Sequence, residues 1–111
     1  LKEFDRAVEL YKDKQYQAAQ ILFEKVNGII RNEEINADCS YYIANCAIRL
    51  NQAGADQLME DFVEKYPTST KQNQAYIEVA HYYFDQSNYA QSLKYFEKVD
   101  ESSLTTSERE K

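Results

Sequence analysis

Few side chains in this sequence belong to the types from which enzymes build active sites, and those few are dispersed. His81 is the only histidine, so the chain cannot form a histidine pair for metal binding or proton relay. The sequence contains no glycine-rich phosphate loop and no Gly-x-Ser-x-Gly motif. The acidic clusters around Glu33 and Glu60 are typical of solvated helix faces. We therefore expect a protein that is not an enzyme and that needs no cofactor or metal.

The two cysteines, Cys39 and Cys46, are candidates for a disulfide or a metal site. On one helix their Cα atoms lie about 10 Å apart, which is too far for a mutual disulfide. A metal pair is disfavoured because only one histidine is present. A separation of seven residues places both thiols on one helical face, where cysteine usually acts as a small core hydrophobe. We expect both to be core residues.

The composition favours helices over strands. Hydrophobic residues make up 43% of the 111 residues, which is enough for the packed core of one domain. Two glycines and one proline are too few for the many turns of a β-sandwich or a barrel. The sequence thus predicts helices that are joined by short loops.

Charge and hydropathy argue against a nucleic-acid partner and against a transmembrane segment. The net charge is −6, and the lysines, such as Lys14, Lys25, Lys71 and Lys94, are interspersed with acids. Binding to a phosphate backbone needs clustered cations. No apolar run approaches the roughly 18 residues of a membrane-spanning helix. We expect neither a nucleic-acid partner nor a transmembrane segment in this chain.

An internal repeat organises the sequence. The segment from Tyr16 to Val26 recurs from Tyr89 to Val99, with Tyr, Phe, Glu, Lys and Val in register after a shift of 73 residues. A middle unit fits between the two copies, because Ala7, Ala44 and Ala80 are separated by 37 and 36 residues. A unit of about 36 residues is the length of a helical hairpin.

Apolar residues recur at i, i+3, i+4 and i+7, which is the spacing of amphipathic helices. The pattern predicts helices over 2–14, 16–27, 34–51, 54–66, 71–86 and 89–99, with a seventh beginning near 106. Asn27 and Gly28 form a helix stop signal, since glycine readily adopts the left-handed conformation. Pro67 ends the fourth helix, because proline cannot continue it.

These residues resemble the tetratricopeptide repeat, a family of stacked helical hairpins that bind other proteins. The repeat pattern has a small residue, a large residue and a proline at characteristic intervals, and each unit carries part of it. The matching positions are Ala7, Leu10, Ala19 and Phe23; then Ala55, Met59 and Pro67; then Tyr76, Val79, Ala80, Tyr83, Ser92 and Phe96. The resemblance implies that the small residues let paired helices approach closely, while the large ones fill the gaps between hairpins.

Several positions depart from the family pattern. Glu3 occupies an aromatic position of the first unit, and Leu104 replaces the proline of the third. The spacing from Ala44 to Ala55 is one residue shorter than in the other units. The segment Phe62–Pro67 also resembles bacterial cell-envelope repeat proteins, such as outer-membrane assembly lipoproteins and Tol-associated factors. That likeness suggests a periplasmic location, whereas a pair of cysteines that cannot bridge suits the cytoplasm, so both compartments stay open.

The predicted fold class is all-α: a right-handed α-α superhelix of about three tetratricopeptide-like hairpins plus the start of a further helix. We expect the whole chain, 1–111, to form one domain with repeat units at about 1–32, 33–69 and 70–104, and we expect 105–111 to begin the next helix. The sequence starts at Leu1 and ends in a polar run. We therefore expect a piece of a longer array.

In this family the first helix of each hairpin lines a concave face. Transfer of those positions onto this chain predicts seven binding residues: Tyr41, Asn45, Arg49, Ile77, Glu78, His81 and Asp85. The same rows also contain Phe4, Val8, Tyr11, Lys12, Ile48 and Phe84. The mixture of rings and polar groups suits an extended or helical peptide. A clamp for peptide carboxylates is excluded, because Phe4 and Val8 occupy two of its polar positions. The alternative is that these rings pack against neighbouring helices.

The ten tyrosines fall into two groups. Tyr16 and Tyr89 repeat in register, which indicates structural packing at the turns. Tyrosines are also adjacent at 41–42 and at 82–83. The two rings of each pair point about 100° apart on their helix, so one ring of each pair has the chance to reach solvent. Exposed tyrosine is favoured at interfaces, which makes these pairs a hint of a binding surface.

Two functions fit these observations. The first is a protein-interaction scaffold that binds a partner peptide or helix on the concave face. The alternative is a structural spacer in a long solenoid, which stacks on its own flanking repeats or self-associates. The spacer gains support because neither end of the sequence shows a clear polar cap.

Overall fold

The computed structural model describes the backbone of residues 2–110 and the side chains of residues 2–99. It contains six helices: α1 (Lys2–Lys12), α2 (Tyr16–Ile29), α3 (Glu33–Arg49), α4 (Ala55–Lys65), α5 (Gln72–Asp85) and α6 (Tyr89–Glu110). No strand occurs within the described residues. The predicted all-α class is confirmed.

Helices that are consecutive in the chain pack on each other as hairpins: α1 with α2, α3 with α4, and α5 with α6. The chain divides into two compact units, Leu1–Ser69 and Thr70–Lys111. Unit 1 contains the first two hairpins, which are joined by contacts between α2 and α3. Unit 2 contains the third hairpin.

Most predicted helix ends lie within two residues of the observed ones. α2 continues through the predicted stop at Asn27 and Gly28 to Ile29, and the backbone of Gly28 does not enter the left-handed region. α4 ends at Lys65, two residues before Pro67. A proline is therefore a firmer helix stop here than a glycine, because it physically prevents continuation.

The sixth helix differs from the prediction. The sequence predicts an end near residue 99 and a new helix near 106, whereas α6 runs unbroken from Tyr89 to Glu110. Residues 100–110 contain neither glycine nor proline. No residue in this stretch therefore enforces a break in the helical hydrogen bonds.

The same turn closes all three hairpins. Lys14, Asn51 and Ser87 have positive φ angles of 64°, 57° and 62°. In each turn the amide of the next residue donates to a carbonyl five residues earlier, over 2.8, 2.9 and 2.8 Å. This is the Schellman arrangement, which satisfies carbonyls at the end of a helix. The three left-handed residues are 37 and 36 residues apart, which is the period of the repeated alanines.

The one-residue shortening of the middle hairpin lies after its left-handed residue. Ala19 and Ser92 each follow that residue by five positions, whereas Ala55 follows Asn51 by four. α4 starts later in its turn than α2 and α6 do, and Gly54 precedes it with a φ of 79°. Glycine adopts this left-handed conformation without the steric cost that a Cβ atom brings.

The core of unit 1 is centred on Phe23, which is wholly buried. Its ring stacks on Tyr42 with centroids 4.6 Å apart, and the ring of Phe4 meets it edge-on at 5.8 Å. Cys39 and Cys46 belong to the same buried cluster, as free thiols. The prediction that both cysteines are core residues is confirmed.

Small residues are buried where paired helices meet. Ala7, Ala19 and Ala55 are completely buried. In the third hairpin Ser92 takes the small position, and its hydroxyl donates to the carbonyl oxygen of Ala80 at 2.8 Å. This bond satisfies the buried hydroxyl of Ser92, a polar group that the alanines at the equivalent positions do not have.

Two amide clusters join the first hairpin to the second. Gln20 and Gln52 hydrogen-bond to each other, and Gln20 also donates to the carbonyl of Ile43. The side chain of Asn36 donates to the side-chain oxygen of Asn27 at 2.9 Å and to the Ile30 carbonyl at 3.0 Å. These bonds hold the link between α2 and α3.

Candidate binding surface

Three predicted binding residues form one line of hydrogen bonds along α3. Tyr41, Asn45 and Arg49 recur every four residues, so they lie one above the other on one face. The Asn45 amide nitrogen donates to the Tyr41 hydroxyl at 2.9 Å. The Arg49 Nε donates to the Asn45 amide oxygen at 3.1 Å. The structure therefore links these three side chains directly.

Burial changes steeply along this line. Tyr41 is 5% exposed, Asn45 is 0% exposed, and Arg49 lies at the surface. A buried amide is tolerated because it is hydrogen-bonded on both sides, since an unpaired one would lose its hydration without compensation. The buried pair thus supports an exposed guanidinium from below, and Arg49 is the member of the line that a partner can reach.

The rings of the first predicted tyrosine pair pack into unit 1. Tyr41 lies 5.3 Å from the ring of Tyr42 and 5.7 Å from that of Phe62. Tyr42 is half-buried and stacks on Phe23. Tyr82 and Tyr83 are half-buried as well. Core packing, the alternative weighed above for rings on the first helices, accounts for Tyr41 and Tyr42.

The first helix of unit 1 offers less surface than its sequence suggests. Phe4, Val8 and Tyr11 are partly buried and pack against the core cluster. The ring of Tyr11 contacts Tyr16 at 5.6 Å and Tyr42 at 5.0 Å. Only Lys12 of this predicted row is exposed.

The other four predicted binding residues lie on α5, in unit 2. Ile77 is half-buried, and His81 and Asp85 are exposed at successive four-residue steps. The His81 ring meets that of Phe96 edge-on at 5.5 Å. Glu78 is only 8% exposed and accepts a hydrogen bond from Gln74 at 3.2 Å. α5 thus presents an aliphatic group, an imidazole and a carboxylate at its surface.

The raised pKa values of the two cysteines exclude them as nucleophiles or metal ligands at this surface. Burial, together with the charge of Asp38, raises the pKa of Cys39 to about 11. Burial raises the pKa of Cys46 to about 12, although the positive charge of Arg49 acts in the opposite direction. Only the thiolate is a nucleophile or a metal ligand. Both side chains therefore stay protonated and inert near neutral pH.

The described residues contain neither a metal-binding cluster nor a helix suited to span a membrane. No group of three or more histidine, cysteine, aspartate or glutamate side chains among them is arranged to hold a metal ion. No helix in the described part of the chain is both long and apolar enough to span a membrane.

One exposed cluster was predicted only in part, because the sequence placed Phe84 in the concave-face rows but neither Tyr89 nor Leu93. Phe84 is 56% exposed, Tyr89 59% and Leu93 61%. The sequence assigned Tyr16 and Tyr89 to packing at the turns, and each ring does pack across its turn, on Tyr11 and Phe84 respectively. Tyr89 nevertheless remains exposed, whereas Tyr16 is half-buried. The repeat gives no signal for this difference, because Tyr16 and Tyr89 occupy equivalent positions in it.

Comparison with known proteins agrees with this architecture. The family model of the tetratricopeptide repeat matches residues 38–69, which include most of α3 and all of α4. The match supports a protein of the tetratricopeptide-repeat type, in which helical repeats typically serve as non-catalytic interaction scaffolds. No curated protein and no solved structure matches the chain.

Proposed function

We propose that this chain is a protein-interaction scaffold that binds a peptide or a helix of a partner protein along the first helices of its hairpins. The tetratricopeptide match over residues 38–69 supports an interaction scaffold in general. The binding face is our own proposal and rests on the side chains of α3 and α5.

The observation that carries the proposal is the support of Arg49 by Asn45. The amide of Asn45 is wholly buried and accepts from Arg49 Nε at 3.1 Å, while the arginine itself is exposed. An arginine that is already oriented loses less conformational freedom when it binds a partner. Its planar guanidinium suits carboxylate or carbonyl oxygens of a peptide.

The predicted residues then divide by role. Arg49 is exposed in unit 1, and His81 and Asp85 are exposed in unit 2 beside the half-buried Ile77. Each of the two sets is proposed by itself to contact a partner. The buried residues Tyr41, Asn45 and Glu78 position their neighbours.

A charge reversal at Arg49 tests the proposal, and stability is measured alongside because the change also removes the hydrogen bond to the buried amide of Asn45. The protein would be used as bait in lysate of its source cells, and each captured partner would then be purified and titrated against the variants. Arg49→Glu is expected to weaken binding at least tenfold, and His81→Ala to weaken it less. Arg31→Glu is the matched control, because Arg31 is an equally charged, exposed residue that lies between helices.

Equal affinity of the parent and Arg49→Glu would refute the binding face. Melting temperatures of His81→Ala and Arg31→Glu should lie close to that of the parent, whereas Arg49→Glu should melt at a lower temperature because the Asn45 amide oxygen loses its donor. Binding measured well below all of these melting temperatures separates lost contacts from lost folding. Alanine at Tyr41 or Asn45 would not make this separation, because both side chains are buried. If no partner binds the parent, the spacer function becomes the better account.

A further inference from the structure

The predicted helix stop at Asn27 and Gly28 lies inside α2, where it does not stop the helix. It is also the only place in the sequence where a glycine follows an asparagine. In such a pair the backbone nitrogen of the glycine readily attacks the asparagine side chain, because no Cβ atom hinders the approach. Asn27 is therefore the asparagine of this chain that is most prone to deamidation.

Deamidation of this pair proceeds in two steps. The amide nitrogen of Gly28 bonds to Cγ of Asn27, the bond from Cγ to the side-chain nitrogen breaks, and ammonia leaves with the proton of the Gly28 amide. Water then opens the resulting succinimide at either of its carbonyl carbons, which leaves aspartate or isoaspartate at position 27. Isoaspartate runs the main chain through the side-chain carbon, so it lengthens the backbone by one methylene group.

The folded backbone prevents the first step. Within α2 the amide of Gly28 donates along the helix axis to a carbonyl one turn earlier, away from the side chain of Asn27. The attack requires the ψ angle of Asn27 to leave the helical range, which breaks the hydrogen bonds of the last turn. The succinimide therefore forms only when the end of α2 opens.

The side chain of Asn36, on α3, holds this end of α2 closed. Its amide nitrogen donates to the side-chain oxygen of Asn27 at 2.9 Å and to the carbonyl of Ile30 at 3.0 Å, and it lies 3.4 Å from the main-chain oxygen of Asn27. One side chain thus ties down both the reactive amide and the residue that caps α2. Gly28 is exposed, so water reaches the pair once the turn opens.

We propose that Asn27 is a deamidation site that the fold protects through Asn36, so that the modification records each opening of the link between α2 and α3. Once isoaspartate has formed, the lengthened backbone prevents the link from closing as before. The inference concerns the connection between the first two hairpins and does not depend on the row of Arg49, so it goes beyond the proposed function.

The fold does not require a glycine at position 28. Its φ angle lies outside the left-handed region, and a Cβ atom at this position would meet no heavy atom within 4 Å. Alanine also favours the interior of a helix more than glycine does. Gly28→Ala therefore removes the reactive pair while it preserves the fold, which makes it the matched control for the chemistry.

The test follows deamidation of the full chain at mildly alkaline pH by mass spectrometry of its peptides, in buffer and in denaturant. The unfolded parent is expected to deamidate faster at Asn27 than at any other asparagine, and the folded parent at least tenfold more slowly. Gly28→Ala should slow the reaction at Asn27 strongly in denaturant. A folded parent that reacts as fast as the unfolded one would overturn the proposal.

Variants at position 36 test the protecting residue. Asn36→Ala should raise the rate of the folded protein about tenfold, because the last turn of α2 opens more often. Asn36→Asp keeps the size of the side chain, has no N–H to donate, and suits the first turn of α3, where a negative charge is favourable. It should raise the rate as well, so the test does not depend on the folding of Asn36→Ala. A rate equal to that of the parent in Asn36→Asp would refute the role of Asn36.

Gln52→Ala separates local opening from a general loss of stability. It removes the other amide pair between the first two hairpins and leaves Asn36 in place. The rate at Asn27 should stay near that of the parent. Equal acceleration by Gln52→Ala and the Asn36 variants would show that unfolding of the whole unit exposes the site, which contradicts local protection by Asn36.

The isoaspartate product tests the structural consequence. Separated by chromatography, it should melt at a lower temperature than the parent and than the variant Asn27→Asp, because an ordinary aspartate at this position can still accept the hydrogen bond from Asn36. Equal melting temperatures of the isoaspartate form and Asn27→Asp would show that the link survives the modification, and would overturn that part of the proposal.

Discussion

The side-chain amides of Gln20 and Gln52 hydrogen-bond to each other in both directions, at 3.0 and 2.9 Å. The pair joins α2 to the turn that follows α3, so it connects the first hairpin to the second across 32 residues of sequence. Gln20 is 7% exposed. Such a pair fixes the register of the two hairpins, because a shift of either helix would leave two amides unpaired.

A double-mutant cycle measures this connection. Gln20→Ala and Gln52→Ala should each lower the free energy of unfolding by about 1–3 kcal/mol, because the remaining amide loses its partner. The double variant should lose less than the sum of the single losses, by about 1 kcal/mol. Urea denaturation supplies the four values. Strictly additive losses would show that the two amides do not stabilise each other.

The left-handed turn residues offer a way to stabilise the fold. Lys14 and Ser87 have φ angles of 64° and 62°, which a Cβ atom makes costly. Lys14→Gly and Ser87→Gly should each raise the free energy of unfolding by up to about 1 kcal/mol. Asn51→Gly should gain less, since asparagine tolerates this conformation. Thermal denaturation checks the order, with Lys14→Ala as a control that keeps the Cβ atom.

Ser92 tests how closely α5 and α6 approach. Its hydroxyl donates to the Ala80 carbonyl at 2.8 Å, and the residue is 2% exposed. Ser92→Ala should cost about 1 kcal/mol, the value of one hydrogen bond. Ser92→Leu should cost about 1–3 kcal/mol or more, because a larger side chain forces the helices apart. A milder effect of leucine than of alanine in chemical denaturation would contradict this packing.

The buried thiols predict a loss of stability in alkali. The ordinary thiol pKa of 9.0 applies to the unfolded chain, whereas folding raises that of Cys39 to about 11 and that of Cys46 to about 12. The folded state therefore holds these protons more tightly. Their contribution to stability is complete below pH 9 and is lost as the pH rises toward 11–12.

Urea denaturation at several pH values would measure this loss, with the double variant Cys39→Ala/Cys46→Ala as control. The two proteins differ only at the cysteines, so the difference between the two curves isolates the thiols. Near pH 8 both cysteines should also resist thiol reagents until the protein unfolds. Rapid labelling of the native protein would contradict their burial.

Sequence reasoning predicted the helices well, for a physical reason. The i, i+3, i+4 spacing of apolar residues such as Tyr76, Val79 and Ala80 is a local property of the sequence. The effect of Pro67 is also local, because it stops the helix that precedes it. The equivalence of Ala7, Ala44 and Ala80 likewise needs no tertiary structure to be seen. The repeat thus predicted three hairpins and the small buried residues between paired helices.

Burial within the candidate surface could not be predicted in the same way. Tyr41 and Asn45 lie at positions that face a groove in the resembled family, yet both are buried here. Whether a side chain on a first helix reaches solvent depends on the neighbours that other hairpins provide. Tyr89 is exposed and Tyr16 is half-buried, although the two residues occupy equivalent positions in the repeat.

Contacts between helices that are neighbours in the chain have a consequence for synthesis. In unit 1, α1 packs on α2, α2 on α3, and α3 on α4. Because the loops are short, each contact costs little loop-closure entropy. Helical proteins with such local contacts fold in microseconds to milliseconds. A ribosome adds about 5–20 residues per second. Each hairpin can therefore close as soon as it emerges, long before the remainder of the polypeptide has been translated.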